Sequence, residues 1–152
     1  MQIGNIRVDE VVPHRGAMLL LDRLLAHDED SIAVEAVVRE DNVFAVAEGV
    51  PVWVGIEYMA QTIAAWAGCR ARQLNEPVKL GFLLGTRRFE CVGGHFQFGQ
   101  RLRVEARREF SADNGMGMFA CRILAGAVEV ATANVLVYEP TDINEFLEEA
   151  AR

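Results

Sequence analysis

The chain has 152 residues, 51% hydrophobic and 24% charged, the balance of one ordinary globular domain long enough to bury a core. Its formal charge of -7 supplies no basic footprint for nucleic acid or an anionic lipid surface, so neither is expected as a partner. Cys69, Cys91 and Cys121 stand far apart, with no CxxC pair, which reads as three reduced thiols and no metal site.

The N-terminus, MQIGNIRVDE, carries charges where a secretory leader needs an apolar core. No uncharged apolar run approaches the roughly 20 residues of a spanning helix, so a cytoplasmic protein without membrane segments is expected. Val8 to Leu21, VDEVVPHRGAMLLL, reads as a short helix or turn, interrupted by Pro13, that leads into an extended segment. From Leu20 to Arg39 the pattern predicts two strands joined at HDED. In SIAVEAVVRE, Ile32, Val34, Ala36 and Val38 point one way while Glu35 and Arg39 point the other, as in a half-buried antiparallel hairpin.

Asp41 to Val52 is read as an irregular connection. Trp53 to Gly68, WVGIEYMAQTIAAWAG, opens a helix that runs to about Leu74 and is stopped by NEP at Asn75 to Pro77. Extended segments follow in KLGFLLGTRRFECV, in QRLRVEARREFSA and in the pair MFACRILA and EVATANVLVYE, with loops carrying GGH, ADNG and AGA. The acidic EPTDINEFLEEAAR is expected to form a short exposed helix. Residues 1–152 are thus one domain, with a core at about 8–139 and a tail at 140–152. A single helix this apolar needs a curved antiparallel sheet wrapped around it, the α+β hotdog architecture.

Within the helix, Ala60, Ala64, Ala65, Ala67 and Gly68 are small enough to let a sheet approach closely, while Ile56, Met59, Ile63 and Trp66 supply bulk. Glu57 and Gln61, four apart, share a face with Ala65. Two readings of Glu57 stay open. It can sit in solvent and favour the helix dipole, or it can lie partly desolvated in a cleft and exchange a proton near neutrality, held by Gln61. Gly55 would let a ligand approach the backbone, and the amides of the helix start could stabilise a thioester oxyanion.

VVPHRGAMLLLDR (Val11 to Arg23), followed by GIEYMAQ (Gly55 to Gln61), resembles the hotdog-fold 3-hydroxyacyl-acyl-carrier-protein dehydratases. Phe82 to Glu109, FLLGTRRFECVGGHFQFGQRLRVEARRE, is similar to their third and fourth strands, so the likeness covers about residues 8 to 139. Pro51, Trp53, Glu57 and Met59 to Thr62 look more narrowly like the dehydratase-like branch of aryl polyene clusters. The resemblance implies elimination of water from a 3-hydroxyacyl thioester to give a trans-2-enoyl thioester. It implies no cofactor beyond the phosphopantetheine of an acyl carrier protein, and a homodimer or higher oligomer with a shared site.

Those enzymes use a histidine from a Gly-His-Phe-Pro segment before the helix as base and the helix carboxylate as acid. Here Asp41 to Trp53 reads DNVFAVAEGVPVW, without histidine. Of the three histidines, His27 is read as a solvated turn residue and His95 as a turn-packing residue. His14 of the PHR motif is the candidate replacement base, and His14 with Glu57 is the pair to test. Arg87 and Arg88, or Arg70 and Arg72, are candidates for docking an acidic carrier protein. Gly55 and Gln61 complete the expected site. The alternatives are a half-catalytic or non-catalytic subunit of a paralogous dehydratase, motivated by the absent histidine, and a thioesterase, since a helix carboxylate can also activate water.

Overall fold

The structure, a computed structural model, describes residues 3–77 and 81–140. The predicted hairpin is present as β1 (Arg23–His27) and β2 (Ser31–Val37). Asp28 makes the turn, its carboxylate accepting the amides of Asp30 and Ser31 at 2.9 Å each. Ile32, Val34, Ala36 and Val38 are all buried, as the alternation requires. The connection after β2 is irregular up to β3 (Val50–Pro51), which pairs with β5 (His95–Phe96) in a separate two-stranded ribbon.

Helix α1 (Gly55–Gln73) follows a 3-10 turn at Val52–Val54. It ends at Leu74, beyond which Asn75 takes a left-handed conformation with φ of 55°. The remaining strands are β4 (Phe82–Cys91), β6 (Arg101–Ser111), β7 (Met116–Ala125) and β8 (Val128–Tyr138). With the hairpin they form one antiparallel six-stranded sheet in the order β1-β2-β6-β7-β8-β4. Leu102 and Val104 of β6, Ile123 of β7 and Val135 of β8 are wholly buried beneath the helix, in one core with Tyr58, Met59 and Cys69. The helix expected in the C-terminal EPTDINEFLEEAAR falls on residues 141–152, outside the described residues.

Alternation explains the sheet, but two polar side chains of α1 are also fully buried. Thr62 donates its hydroxyl to the Tyr58 carbonyl at 2.7 Å. Gln61 is satisfied by the N-terminal segment, as described below. Tyr58 stands edge-on to Phe96, with ring centroids 5.9 Å apart, and burial pushes its phenol up to about 12.

The thiols divide in the same way. Burial pushes Cys69 up to about 11 and Cys121 up to about 12, because a thiolate loses its hydration there, whereas Cys91 is exposed on β4. A thiol reagent at pH 8 is therefore expected to modify Cys91 alone in the native protein and all three cysteines in denaturant. Mass spectrometry of the labelled protein checks this, and rapid native labelling of Cys69 or Cys121 would contradict the burial.

Candidate functional site

The N-terminal segment is laid directly on the helix. Val8, Val11 and Val12 are buried, and a Cβ built at Gly68 would collide with the carbonyl of Val11. Only glycine allows that approach. Farther along the segment, Gln61 fastens it at two points: its side-chain oxygen accepts the Leu20 amide at 2.9 Å and its amide nitrogen donates to the Met18 carbonyl at 2.7 Å. Between these anchors the chain turns at Pro13 to Met18. Arg15 braces the turn by donating to the carbonyls of Val12 (2.6 Å) and His14 (2.7 Å).

The turn delivers His14 to the acid. Its Nε2 lies 3.9 Å from Glu57 Oε1, and the two side chains are 27% and 31% exposed, so solvent reaches both. The same Glu57 oxygen accepts a hydrogen bond from Gln61 Nε2 at 3.2 Å. Gln61 therefore does what its spacing suggested and holds the carboxylate, while its own side chain is wholly buried. His14 Nδ1 is buried and has no hydrogen-bond partner among the described residues, and Nε2 is the nitrogen turned toward Glu57.

A cavity of about 240 Å³ opens from this pair, between α1 and the sheet. Ala60, Ala64 and Ala67 form its helix side, and Leu83, Phe119 and Val137 come from β4, β7 and β8. Beyond the His14 and Glu57 heads it is largely apolar. A carboxylate, an imidazole and an apolar trough together suit chemistry at the polar end of a molecule with a hydrocarbon tail.

A sequence model of ApeP-like proteins, described as ApeP dehydratase, matches residues 6–148. The chain belongs to the ApeP-like dehydratase family.

Among solved structures, a chain of the dehydratase heterocomplex ApeI:P from Xenorhabdus doucetiae is 26% identical, with a TM-score of 0.89 over 97% of this chain and 99% of that one. An uncharacterized protein from Pyrococcus horikoshii is 14% identical, with a TM-score of 0.64 over 90% of this chain and 96% of that one. A hypothetical thioesterase with coenzyme A from Streptococcus pneumoniae TIGR4 is 8% identical, with a TM-score of 0.61 over 77% and 84%. The last two share the fold and license nothing more. No curated protein matches significantly.

Several expectations take another form in this ApeP-like structure. At Gly55 a Cβ would press on Ile123 and Phe89 at 3.2 and 3.4 Å, and the Gly55 amide donates within the 3-10 turn to the Val52 and Trp53 carbonyls. Its smallness serves helix-to-sheet packing. Ala60, Ala64 and Ala67 were expected to admit the sheet, yet all three are half-buried and line the cavity, while the close approach occurs at Gly68 against the N-terminal segment. The spacing of Glu57, Ala60, Ala64 and Ala67, three and four apart, was the available signal for that face.

His27 is half-buried instead of solvated, its Nε2 is enclosed, and desolvation lowers its pKa. His95 sits on β5 opposite Pro51, in keeping with a turn-packing role. In the segment that lacks histidine, Asn42 donates to the Tyr58 hydroxyl at 3.4 Å and Phe44 meets Trp53 edge-on at 5.7 Å.

A larger depression, about 790 Å³, lies on the sheet face turned away from the helix. Glu105 there pairs with Arg103 and Arg122 at 2.6 Å each, and Arg122 reaches Glu129 at 3.6 Å. Desolvation opposes the charge on Glu105, but the two guanidiniums outweigh it and hold the carboxyl below its usual range. Its acids and bases neutralise one another, so size does not make it the reaction site. Among the described residues no group of three or more His, Cys, Asp or Glu side chains could hold a metal ion, and no helix is long and apolar enough to cross a membrane.

Proposed function

We propose that this ApeP-like dehydratase removes water from a 3-hydroxyacyl thioester carried on the phosphopantetheine of an acyl carrier protein, giving a trans-2-enoyl thioester for fatty acid or aryl polyene assembly in the cytoplasm. The observation that carries the reading is the placement of His14 Nε2 3.9 Å from Glu57 Oε1 at the head of an apolar trough. Neutral His14 takes the C2 proton, which the thioester carbonyl acidifies, and the C2–H electron pair becomes the C2=C3 bond. Protonated Glu57 gives its proton to the C3 hydroxyl, which leaves as water. The Gln61 amide then supports the carboxylate as it forms. Proton transfer from His14 to Glu57 restores both groups.

A second reading has its own support: the chain works as one half of a pair with a paralogous dehydratase. Asp41 to Trp53 lacks the histidine of the related enzymes, and the relative of TM-score 0.89 comes from a dehydratase heterocomplex. Strand β4 ends the sheet with Leu83 and Leu84 exposed, an edge to which a second hotdog chain, identical or paralogous, can add its own strand. Arg87 and Arg88 on that strand are exposed and are the basic positions best placed to meet an acidic carrier, whereas Arg70 lies over Trp66 and Arg72 faces Glu10 at 3.8 Å.

The purified chain, incubated with a 3-hydroxyacyl thioester on carrier protein, is expected to yield enoyl thioester by mass spectrometry, and His14→Ala to slow it by about 10²-fold or more. Turnover only after a histidine-bearing paralogue is added would select the paired reading. Thiol release without enoyl product would replace both with a thioesterase.

A further inference from the structure

A second cavity, also about 240 Å³, lies toward the C-terminal end of α1, beside Arg70, Ala71 and Leu74. Trp66, Ala67 and Glu139 border both cavities. Trp66 is the bulky member of that boundary, and its position is fixed from four directions.

Its indole N–H donates to the Glu29 carbonyl at 3.3 Å, and its ring meets Phe119 edge-on at 5.2 Å. The guanidiniums of Arg70 and Arg108 lie 5.4 and 5.0 Å from the ring centre. Arg108 is itself held by Asp30 Oδ1, through two hydrogen bonds of 2.7 and 3.1 Å. A side chain so pinned acts as a fixed wall, in contrast to a gate that swings on an exposed rotamer.

We propose that Trp66 is the end wall of the acyl trough and sets the length of chain the site accepts, an inference that rests on the acyl-thioester reading of the Glu57 site. Trp66 stands nine positions beyond Glu57, about 13 Å of helix rise. Both side chains lean back over their own preceding turns by a similar amount, so about 13 Å of trough separates them. A zigzag of about 1.5 Å carbon–carbon bonds advances about 1.3 Å per bond, so about ten carbons fit past C3. The trough thus takes acyl chains of about thirteen carbons, and removing the indole joins it to the second cavity.

The test is calorimetric binding of saturated acyl-pantetheine thioesters of eight to eighteen carbons to the full chain, which requires no turnover. Each buried methylene raises affinity about fourfold, so wild-type affinity is expected to climb and then level off at about twelve to fourteen carbons. Trp66→Ala is expected to carry the climb to about sixteen or beyond, and Ala67→Leu, which adds bulk at the same boundary, to stop it earlier. An unbroken climb to about eighteen carbons in the wild type overturns the proposal, as does a break that stays put in folded Trp66→Ala. If Trp66→Ala does not fold, Ala67→Leu decides: an earlier break supports the wall and an unchanged break overturns it. Length-limited binding with no dehydration, either alone or with a histidine-bearing paralogue added, would sink the dehydratase reading and keep the wall. Dehydration with a length profile indifferent to both substitutions would do the reverse.

Discussion

Glu57→Gln is expected to reduce dehydration by about 10²- to 10⁴-fold while leaving the fold intact. The replacement keeps the shape of the side chain and an oxygen that can still accept from Gln61 Nε2, so the bond now 3.2 Å long has no reason to break. What disappears is the exchangeable proton that the leaving hydroxyl requires. Because Glu57 is about a third exposed, the amide also incurs no large desolvation cost. The check is single-turnover enoyl formation at saturating thioester, with melting temperature measured on the same preparation. Full turnover in a normally folded variant would remove Glu57 from the chemistry and the proposed mechanism with it.

The second large effect is expected at Gly68, where the sign of the change is diagnostic. In a helix interior, alanine is ordinarily favoured over glycine by about 1 kcal/mol. Here the added Cβ would collide with the Val11 carbonyl, and its next neighbours are Val11 backbone and side-chain atoms, which cannot simply rotate aside. Gly68→Ala should therefore destabilise, by about 1–3 kcal/mol as for other overpacked core sites, lowering the melting temperature by about 2–12 °C. Lifting the N-terminal segment from the helix also draws His14 away from Glu57, so turnover should fall with stability. Gly85→Ala is the matched control: no heavy atom lies within 4 Å of the Cβ position and its φ is ordinary, so stability should change by less than about 0.5 kcal/mol. A Gly68→Ala protein that melts higher than wild type and turns over normally would show that the segment is not seated where the structure puts it.

The strands were legible because their information is local. Ile32, Val34, Ala36 and Val38 alternate with polar neighbours on one strand, and Leu102, Val104 and Ala106 do the same on the next, so burial can be read two residues at a time. The helix was legible for the same reason, from its apolar length and the Asn75 stop. The site was legible only in part. Glu57 and Gln61 lie four apart on one helix, so their hydrogen bond follows from spacing. His14 reaches them through contacts between Val11 and Gly68 and between Leu20 and Gln61, which span 57 and 41 residues and leave no periodic trace.

Small residues were the other blind spot. A glycine can admit a ligand, a strand or another loop, and composition does not choose among them. Gly55 admits Phe89 and Ile123, Gly68 admits Val11, and Ala60, Ala64 and Ala67 admit no strand but leave a trough. His27 was misjudged because a histidine beside Asp28 in an acidic turn looks hydrated, while the packing beneath that turn encloses its ring.

The two bonds that Gln61 makes to the stretch around Leu20 have a thermodynamic corollary. Glu57 and His14 ride on separate pieces of chain, and they stay together only while those pieces are clasped. A molecule gripped between His14 and Glu57 binds the clasped form alone, so occupancy must stabilise the clasp by RT ln(1 + [L]/Kd), about 2.7 kcal/mol at a hundredfold excess over Kd. Amide hydrogen exchange at Leu20 then becomes a ligand gauge: its slowing reads out site occupancy from a group that never touches the ligand.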